Sequence, residues 1–473
     1  MNATTQVDSY QALSHKITAT VPTDLFPLPL TTFEKYMLTD DCPEYPMGFV
    51  IEIRLTGQLD KKGFEFALDL ASRRHPLLLA TISTASKKLA WKNSNQIPAV
   101  EWIESTDCLK SNSTGYINLR KQTGLQTTVR LGGESCCVSF LFHHAVVDGV
   151  GAMHFIGDLL AIYGQCTSSP NDPQPELSTV TPLVLHQRGE LDVKTSRLNH
   201  SWRRIFRHLF EFLYCNPSGI ISPNPKRALS NVASPRPFLT RILSRTELTA
   251  IKNKAAKLNV APNDIYLAAL FQTIKKWNEL YGGRSLLRRY YRIAIPSSLR
   301  TPVHDNSPAA NIVSYIFLNQ SKKTINHHDH LIQSISQRTK QLLSSTDSRL
   351  PLYFLKGGFF VPGLVSSVLK LPLRLSTATL ANVGDVKRQL NCRFPMHKRK
   401  CIAGSVTLEG LFGAAPIRKR TSVGISVGTY AGELLMNFNC ASRCFSPEEA
   451  EQFADLFVST LLDNNSPSTE RKR

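Results

Sequence analysis

One short run constrains this chain more than any other: Phe140-Leu141-Phe142-His143-His144-Ala145-Val146-Val147-Asp148-Gly149-Val150-Gly151. Its first residues close an apolar stretch that begins at Cys136, after the Gly132-Gly133 turn signal, and such a run reads as a buried strand. A buried strand that ends in two imidazoles must give each a partner or a task, because an unpaired polar group out of water costs about 1–3 kcal/mol. Downstream, Phe155, Ile156, Leu159, Ile162 and Tyr163 recur at helical spacing, which puts Asp148-Gly149 at a strand-to-helix connection.

Strand and helix signals continue on both sides of this run. Residues 47–55 (MGFVIEIRL) read as a strand, and Asp60 caps a helix whose face is Phe64, Ala67, Leu68 and Ala71, ending before Arg74-His75-Pro76. Further strands are expected at 77–82, 89–92 and 125–131. Residues 166–237 are rich in Ser, Pro and Asn and read as a crossover; within them, 202–214 (WRRIFRHLFEFLY) is a basic amphipathic segment, packed on the protein or docked on an anionic membrane surface. Beyond it, Leu267, Leu270, Phe271, Ile274 and Trp277 form a helical face behind Pro262-Asn263-Asp264, with strands expected at 290–295 and 311–317. Tyr430-Ala431-Gly432 signals a hairpin, and Ser446 with Glu449 forms a capping box for a last helix. The pattern is α/β with mixed sheets, divided into a first lobe over 1–165, a crossover over 166–237 and a second lobe over 238–473. The apolar residues 357–371, broken by Pro362 and Lys370, read as core filling rather than the lining of a lipid tunnel.

Composition narrows the function classes. With 473 residues, 42% hydrophobic, the chain can bury a large core, and no apolar run reaches the 18 residues or more that a spanning helix needs. The excess of 56 basic over 36 acidic residues, a formal charge of +20, favours anionic partners: phosphorylated cofactors, acidic proteins or anionic lipid surfaces. Zinc-finger spacing, a basic heptad helix and an aromatic RNP-like strand are all missing, which argues against nucleic acid. The ten cysteines are scattered without metal-ligand spacing, so reduced thiols and no metal site are expected. The first residues lack the basic and apolar regions of a signal peptide, so a cytoplasmic location is expected, peripheral to a membrane if 202–214 docks there.

A histidine titrates near 6.5, so its neutral form is available to take a proton from an alcohol, amine or thiol. The chain has no G-x-S-x-G elbow, no Walker loop and no G-x-G-x-x-G, so such a base would act directly on a bound acceptor. His143-His144-x-x-x-Asp148-Gly149 resembles the HHxxxDG motif of the superfamily that unites chloramphenicol acetyltransferase, nonribosomal peptide condensation domains, BAHD acyltransferases and wax ester synthase/diacylglycerol acyltransferases. Residues 49–82 are similar to that superfamily's strand, G-x-L-D turn, helix and R-H-P-L-L segment. Pro296 to Arg300 with Asn311, Ala381-Asn382-Val383-Gly384 and the hairpin at Thr429 resemble weaker landmarks in the same order. The D-F-G-W-G segment of plant BAHD enzymes and the P-L-W motif of wax ester synthases are not present.

The resemblance implies two chloramphenicol-acetyltransferase-like lobes with a tunnel between them. It implies that His144 is the general base for attack on a thioester carbonyl, with no acyl-enzyme. Asp148 would pair with Arg300 and fix the loop, His143 would be structural, and Gly149 would allow close backbone approach or a positive φ. Asn382 and Thr429 are candidates for the oxyanion or tunnel wall. The implied co-substrate is acyl-CoA or an acyl carrier protein thioester, with no permanently bound cofactor, and the acceptor a small molecule or lipid. The basic clusters Arg284/Arg288/Arg289/Arg292, 397–400 and 418–420 would meet coenzyme A phosphates or an acidic carrier protein. Three readings remain open: a CoA-dependent acyltransferase, a stand-alone condensation protein, and a non-catalytic binding relative.

Overall fold

The computed structural model describes residues 21–83, 89–94, 96–105, 115–169, 171–189, 216–229, 237–282, 290–326, 328–344 and 349–463, with Ile17 and Tyr214. In chain order the first group of strands is β1 (Leu28–Pro29), β2 (Gly48–Thr56), β3 (Ala80–Ser83), β4 (Ala90–Asn93), β5 (Val100–Glu104), β6 (Leu125–Gly132), β7 (Ser135–His143) and β8 (Leu239–Leu243). Those of the second are β9 (Tyr290–Ser298), β10 (Val313–Ser321), β11 (Ala378–Asp385), β12 (Met396–His397), β13 (Lys400–Ala403), β14 (Val406–Ala414), β15 (Val423–Tyr430) and β16 (Glu433–Cys440). They form a seven-stranded sheet, β12-β13-β14-β2-β7-β6-β5, a six-stranded sheet, β10-β9-β11-β15-β16-β8, and a small sheet, β1-β4-β3. Both large sheets are mixed: β5 runs parallel to β6, and β11 runs parallel to both β15 and β9.

Local chemistry accounts for many boundaries. The Asp60 carboxylate accepts from the Gly63 amide at 3.0 Å and starts the helix Lys61–Arg74, whose Phe64, Ala67, Leu68 and Ala71 are buried as the spacing predicts. Ser446 and Glu449 form the capping box of the helix Pro447–Asp463 (2.7 and 3.1 Å). Ala431 and Gly432 have φ of 51° and 97°, the paired left-handed conformations that a two-residue hairpin turn needs between β15 and β16. The expected strand over 77–82 is shorter: Pro76–Leu79 makes a 3-10 turn, and only Ala80–Ser83 pairs.

The sheets do not follow the order of the chain. β14 pairs antiparallel with β2, Ala414 opposite Val50, so strands from the segment 238–473 complete the sheet that carries β7. Alternation marks a strand as half-buried but does not name its partner, which is why the division at 165 and 237 leaves this exchange unseen. Two cores result, one around β2, β7 and the helix Gly149–Thr167, the other around the helix Pro262–Tyr281 and the six-stranded sheet.

Residues 357–371 do not fill a core. They span the helices Leu350–Phe359 and Leu364–Lys370, bent by 116° at the break, with Phe360 78% and Val361 54% exposed. Apolar composition is common to core helices and to uncovered ones, so it could not separate the two. Among the described residues no single helix is long and apolar enough to cross a membrane. The amphipathic segment 202–214 lies outside the described residues apart from Tyr214.

Candidate active site

β7 runs through the middle of the seven-stranded sheet, paired with β2 on one side and β6 on the other, and delivers its last residue, His143, into the interior. His143 is buried; its Nδ1 accepts the Ala145 amide at 3.1 Å, so the ring proton sits on Nε2, 3.4 Å from the Asp41 carboxylate. Asp41 is held in turn by the Met47 amide at 2.8 Å. Both ring nitrogens therefore face the fold, Nδ1 bonded to the loop backbone and Nε2 buried beside Asp41 without a hydrogen bond.

His144 turns the other way, onto a cavity of about 260 Å3 between the two large sheets. Its backbone amide donates to the Met47 carbonyl at 2.7 Å, and its ring packs against Phe49, centroid to centroid 5.1 Å. The Asn311 amide nitrogen donates to the His144 carbonyl and lies 3.2 Å from ring Nδ1. Burial holds the imidazole below its ordinary value of 6.5; a hydrogen bond to its own backbone carbonyl and the Asp148 charge oppose that shift without cancelling it. The ring is thus neutral at pH 7.

Asp148 is the N-cap of the helix Gly149–Thr167, accepting the Gly151 amide at 2.8 Å. The same buried carboxylate accepts both ends of the Arg300 guanidinium (2.8 and 2.9 Å) and the Ile312 amide (2.8 Å). Burial acts to raise its pKa, but Arg300 and these amides outweigh it and hold the carboxyl below its ordinary value. Arg300 also donates to the Ala310 carbonyl at 3.2 Å. One carboxylate therefore ties the loop after β7 to the 310–312 segment that carries Asn311.

That segment has a second anchor. The Ala309 amide donates to His75 Nδ1 at 2.8 Å, and His75 Nε2 lies 3.1 Å from Asp158, which Arg74 also contacts at 2.6 Å. Arg74 and His75 come from the R-H-P-L-L segment and Asp158 from the helix after the motif, so the two best-marked stretches of sequence meet here. Asn311 was only an order marker in the sequence, and His75 part of a helix stop; neither carried a spacing signal for this contact.

The glycine of close approach is Gly151, not Gly149. A Cβ on Gly151 would fall 2.9 Å from both the nitrogen and the oxygen of Ala310, whereas one on Gly149 would meet open space at an ordinary φ. Asn382 lies on the cavity wall, but its amide donates to Asn263 at 3.2 Å and its oxygen accepts Gly384 N at 2.9 Å. Thr429 is off that wall and faces a separate cleft beside Tyr430 and Arg399. Asn437 on β16 lines the His144 cavity without a sequence signal of its own; its Oδ1 accepts the Thr240 hydroxyl at 2.9 Å.

The basic clusters fare differently. Arg284, Arg288 and Arg289 lie outside the described residues, and Arg292 is buried, donating to Asn319 at 2.7 Å. Arg418 is paired with Asp40 (2.6 and 2.8 Å), and Lys400 with Glu409. Lys419 and Arg420 join Arg374 and Arg443 along a cleft at Tyr45, and 397–399 are largely exposed. Among the described residues no group of three or more His, Cys, Asp or Glu side chains could hold a metal ion.

The mixed α/β fold is that of condensation domains and of an acetyltransferase among solved structures. Among solved structures, the chain is similar to the first condensation domain of the calcium-dependent antibiotic synthetase, in complex with a substrate analogue, with a TM-score of 0.68 at 12% identity over 94% of this chain and 97% of that one. It is similar also to the trichothecene 15-O-acetyltransferase of Fusarium sporotrichioides, TM-score 0.69 at 12% identity over 92% and 94%. A third is a mutant starter condensation domain of rhizomide synthetase in complex with C8-CoA and Leu-SNAC, TM-score 0.63 at 13% identity over 94% and 95%. No family model and no curated protein matches the sequence.

Proposed function

We propose that the protein transfers an acyl group from a thioester to a hydroxyl or amine, with His144 as general base. The observation that carries this reading is the placement of His144: neutral, fixed by Asn311 and Phe49, and turned onto a cavity between two sheets. In this reading the ring proton sits on Nδ1 and the Nε2 lone pair is left for the acceptor. Nε2 takes the acceptor proton as the acceptor oxygen or nitrogen forms its bond to the thioester carbonyl carbon. The tetrahedral intermediate then collapses, breaking the carbon–sulfur bond, and the imidazolium returns the proton to the departing thiolate. With its oxygen engaged by Thr240, Asn437 has its amide nitrogen left for the developing oxyanion, a contribution of about 3–4 kcal/mol where such a donor is well aimed.

Asp148, Arg300, His143 and Gly151 position the base in this reading. The donor is acyl-CoA in this reading, in keeping with the excess positive charge of the chain. The test follows free thiol from short acyl-CoAs, and from the matching acyl-pantetheine and N-acetylcysteamine thioesters, with a panel of alcohols and amines. Acceptor-dependent release by the wild type and its loss in His144→Ala are expected. Equal release by both proteins overturns the assignment of the base, and release from the truncated thioesters as fast as from the CoA thioesters overturns CoA as donor.

A further inference from the structure

The strand that walls the His144 cavity continues into a second one. On β10, Val313, Tyr315, Phe317 and Asn319 share a face because alternate residues point the same way. Val313 and Tyr315 line the His144 cavity, and Tyr315, Phe317 and Asn319 line a neighbouring cavity of about 380 Å3. From Val313 to Asn319 this track runs about 20 Å. Aromatic rings pave it, Phe33 lying 5.7 Å and Phe317 6.4 Å from Tyr315 between centroids.

The chemistry of the second cavity is apolar. Of the ionisable groups on its wall, Arg418 is neutralised by Asp40, Arg338 donates to Gln341 at 3.0 Å, and burial pushes the Tyr315 phenol up to about 12, so that it stays neutral. Its outer wall is the bent helix pair, which contributes Phe354, Leu355, Leu364, Val368 and Leu369. Several of these wall residues are uncovered: Phe354 is 40%, Leu364 43% and Val368 42% exposed. Leaving such side chains wet forgoes about 25 cal/mol for each Å2 that an apolar occupant would cover.

We infer that this second cavity binds the alkyl chain of a substrate whose reacting end lies at His144. The inference rests on the acyl-transfer reading for the identity of the reacting end. The continuity of the β10 face selects the occupant: a chain lying along it is covalently part of whatever occupies the first cavity, which a separate protein partner would not be. The chain belongs either to a fatty acyl donor or to a long-chain alcohol acceptor, and the shared requirement is a flexible, unbranched aliphatic segment.

Binding is tested apart from chemistry by equilibrium titration with a fluorescent fatty acid and its displacement by palmitate, on the full chain. Wild type and His144→Ala should bind alike. Val368→Trp at the mouth and Leu355→Trp inside should each weaken binding about tenfold, the loss expected when even one methylene-sized volume of an apolar site is contested. Near-ultraviolet circular dichroism and thermal unfolding verify that each variant is folded, and a palmitate-protected unfolding midpoint in wild type alone gives a second readout. No binding by wild type, or equal binding by both tryptophan variants and wild type, overturns the inference. Two kinetic series then locate the chain: acyl-CoAs from acetyl to palmitoyl with one short alcohol, and alkanols from ethanol to hexadecanol with acetyl-CoA. The series whose long-to-short ratio of kcat/KM falls about tenfold in Val368→Trp carries the chain. If neither ratio changes, the inference fails while the transfer reading stands; probe binding with no transfer from any donor does the reverse.

Discussion

The loop after β7 and the bent helix pair at 350–370 are built on opposite terms. In the loop, a single carboxylate, Asp148, accepts four hydrogen bonds, from Gly151, from two nitrogens of Arg300 and from Ile312. In the helix pair, Phe360, Val361 and Leu364 stand largely in solvent. Directional bonds fix an atom to within a fraction of an ångström, as a base must be fixed; apolar contact tolerates sliding and suits a flexible segment. The contrast separates a place where position matters from one where only cover is missing.

The largest effect that can break this contrast is on turnover. His144→Ala should lower acceptor-dependent thiol release by about a hundred- to ten-thousand-fold, with little change in thermal unfolding because the ring faces a cavity. Activity should also persist in acid further than an ordinary histidine would allow. A base whose pKa lies below 6.5 stays neutral as pH falls past that value, so the acid limb of kcat/KM should fall below 6.5; a limb at or above it would contradict the burial of the ring.

Next comes stability. Asp148→Ala leaves Arg300 unpaired and should cost about 3–5 kcal/mol in denaturant unfolding. Arg300→Ala should cost a similar amount, and the double variant less than the sum. Because the folded carboxyl titrates below its ordinary value of 3.8, its contribution is present above that value and lost as pH falls through the folded one. The stability gap between wild type and Asp148→Ala should therefore close in acid.

Gly151→Ala sharpens the contrast at smaller scale. Its new methyl meets the Ala310 backbone and should cost about 1–3 kcal/mol, with kcat reduced as the Asn311 segment shifts. Gly149→Ala, with open space around it, should cost less. The smallest effect belongs to the other region: Phe360→Ser should change stability by no more than about 0.5 kcal/mol. A large loss there would mean that the pair is covered in solution and that the two regions are less different than their exposure implies.

Sequence alone reveals much of this where a local rule names a specific atom. Asp60 and Ser446 are caps by residue type and position, and the Ala431-Gly432 turn follows from its conformational needs. The His143/His144 pair announces itself because apolar strands do not end that way without cause. What escapes notice depends on partners distant in the chain. Asn311 and His75 acquire roles only when the 309–312 segment is laid against β7 and the helix Gly149–Thr167, and Gly149 and Gly151 look interchangeable until Ala310 is in place. The exposure of 357–371 escapes for another reason, since hydrophobicity reports what water dislikes and not whether protein covers it.

The pairing of β14 with β2 has a consequence for how the molecule comes into being. Val50 leaves the ribosome 364 residues ahead of Ala414, so one edge of the first sheet waits, unpaired, through that interval of synthesis. Leu411 and Gly413 of the later strand also wall the His144 cavity, so the site closes only after that strand has been made. Such non-local closure is slow, and a fragment cut short in the crossover would expose the β2 edge and aggregate. Supplying residues 238–473 as a second polypeptide is expected to return the missing strand and keep that fragment in solution, which sedimentation of the mixture would check.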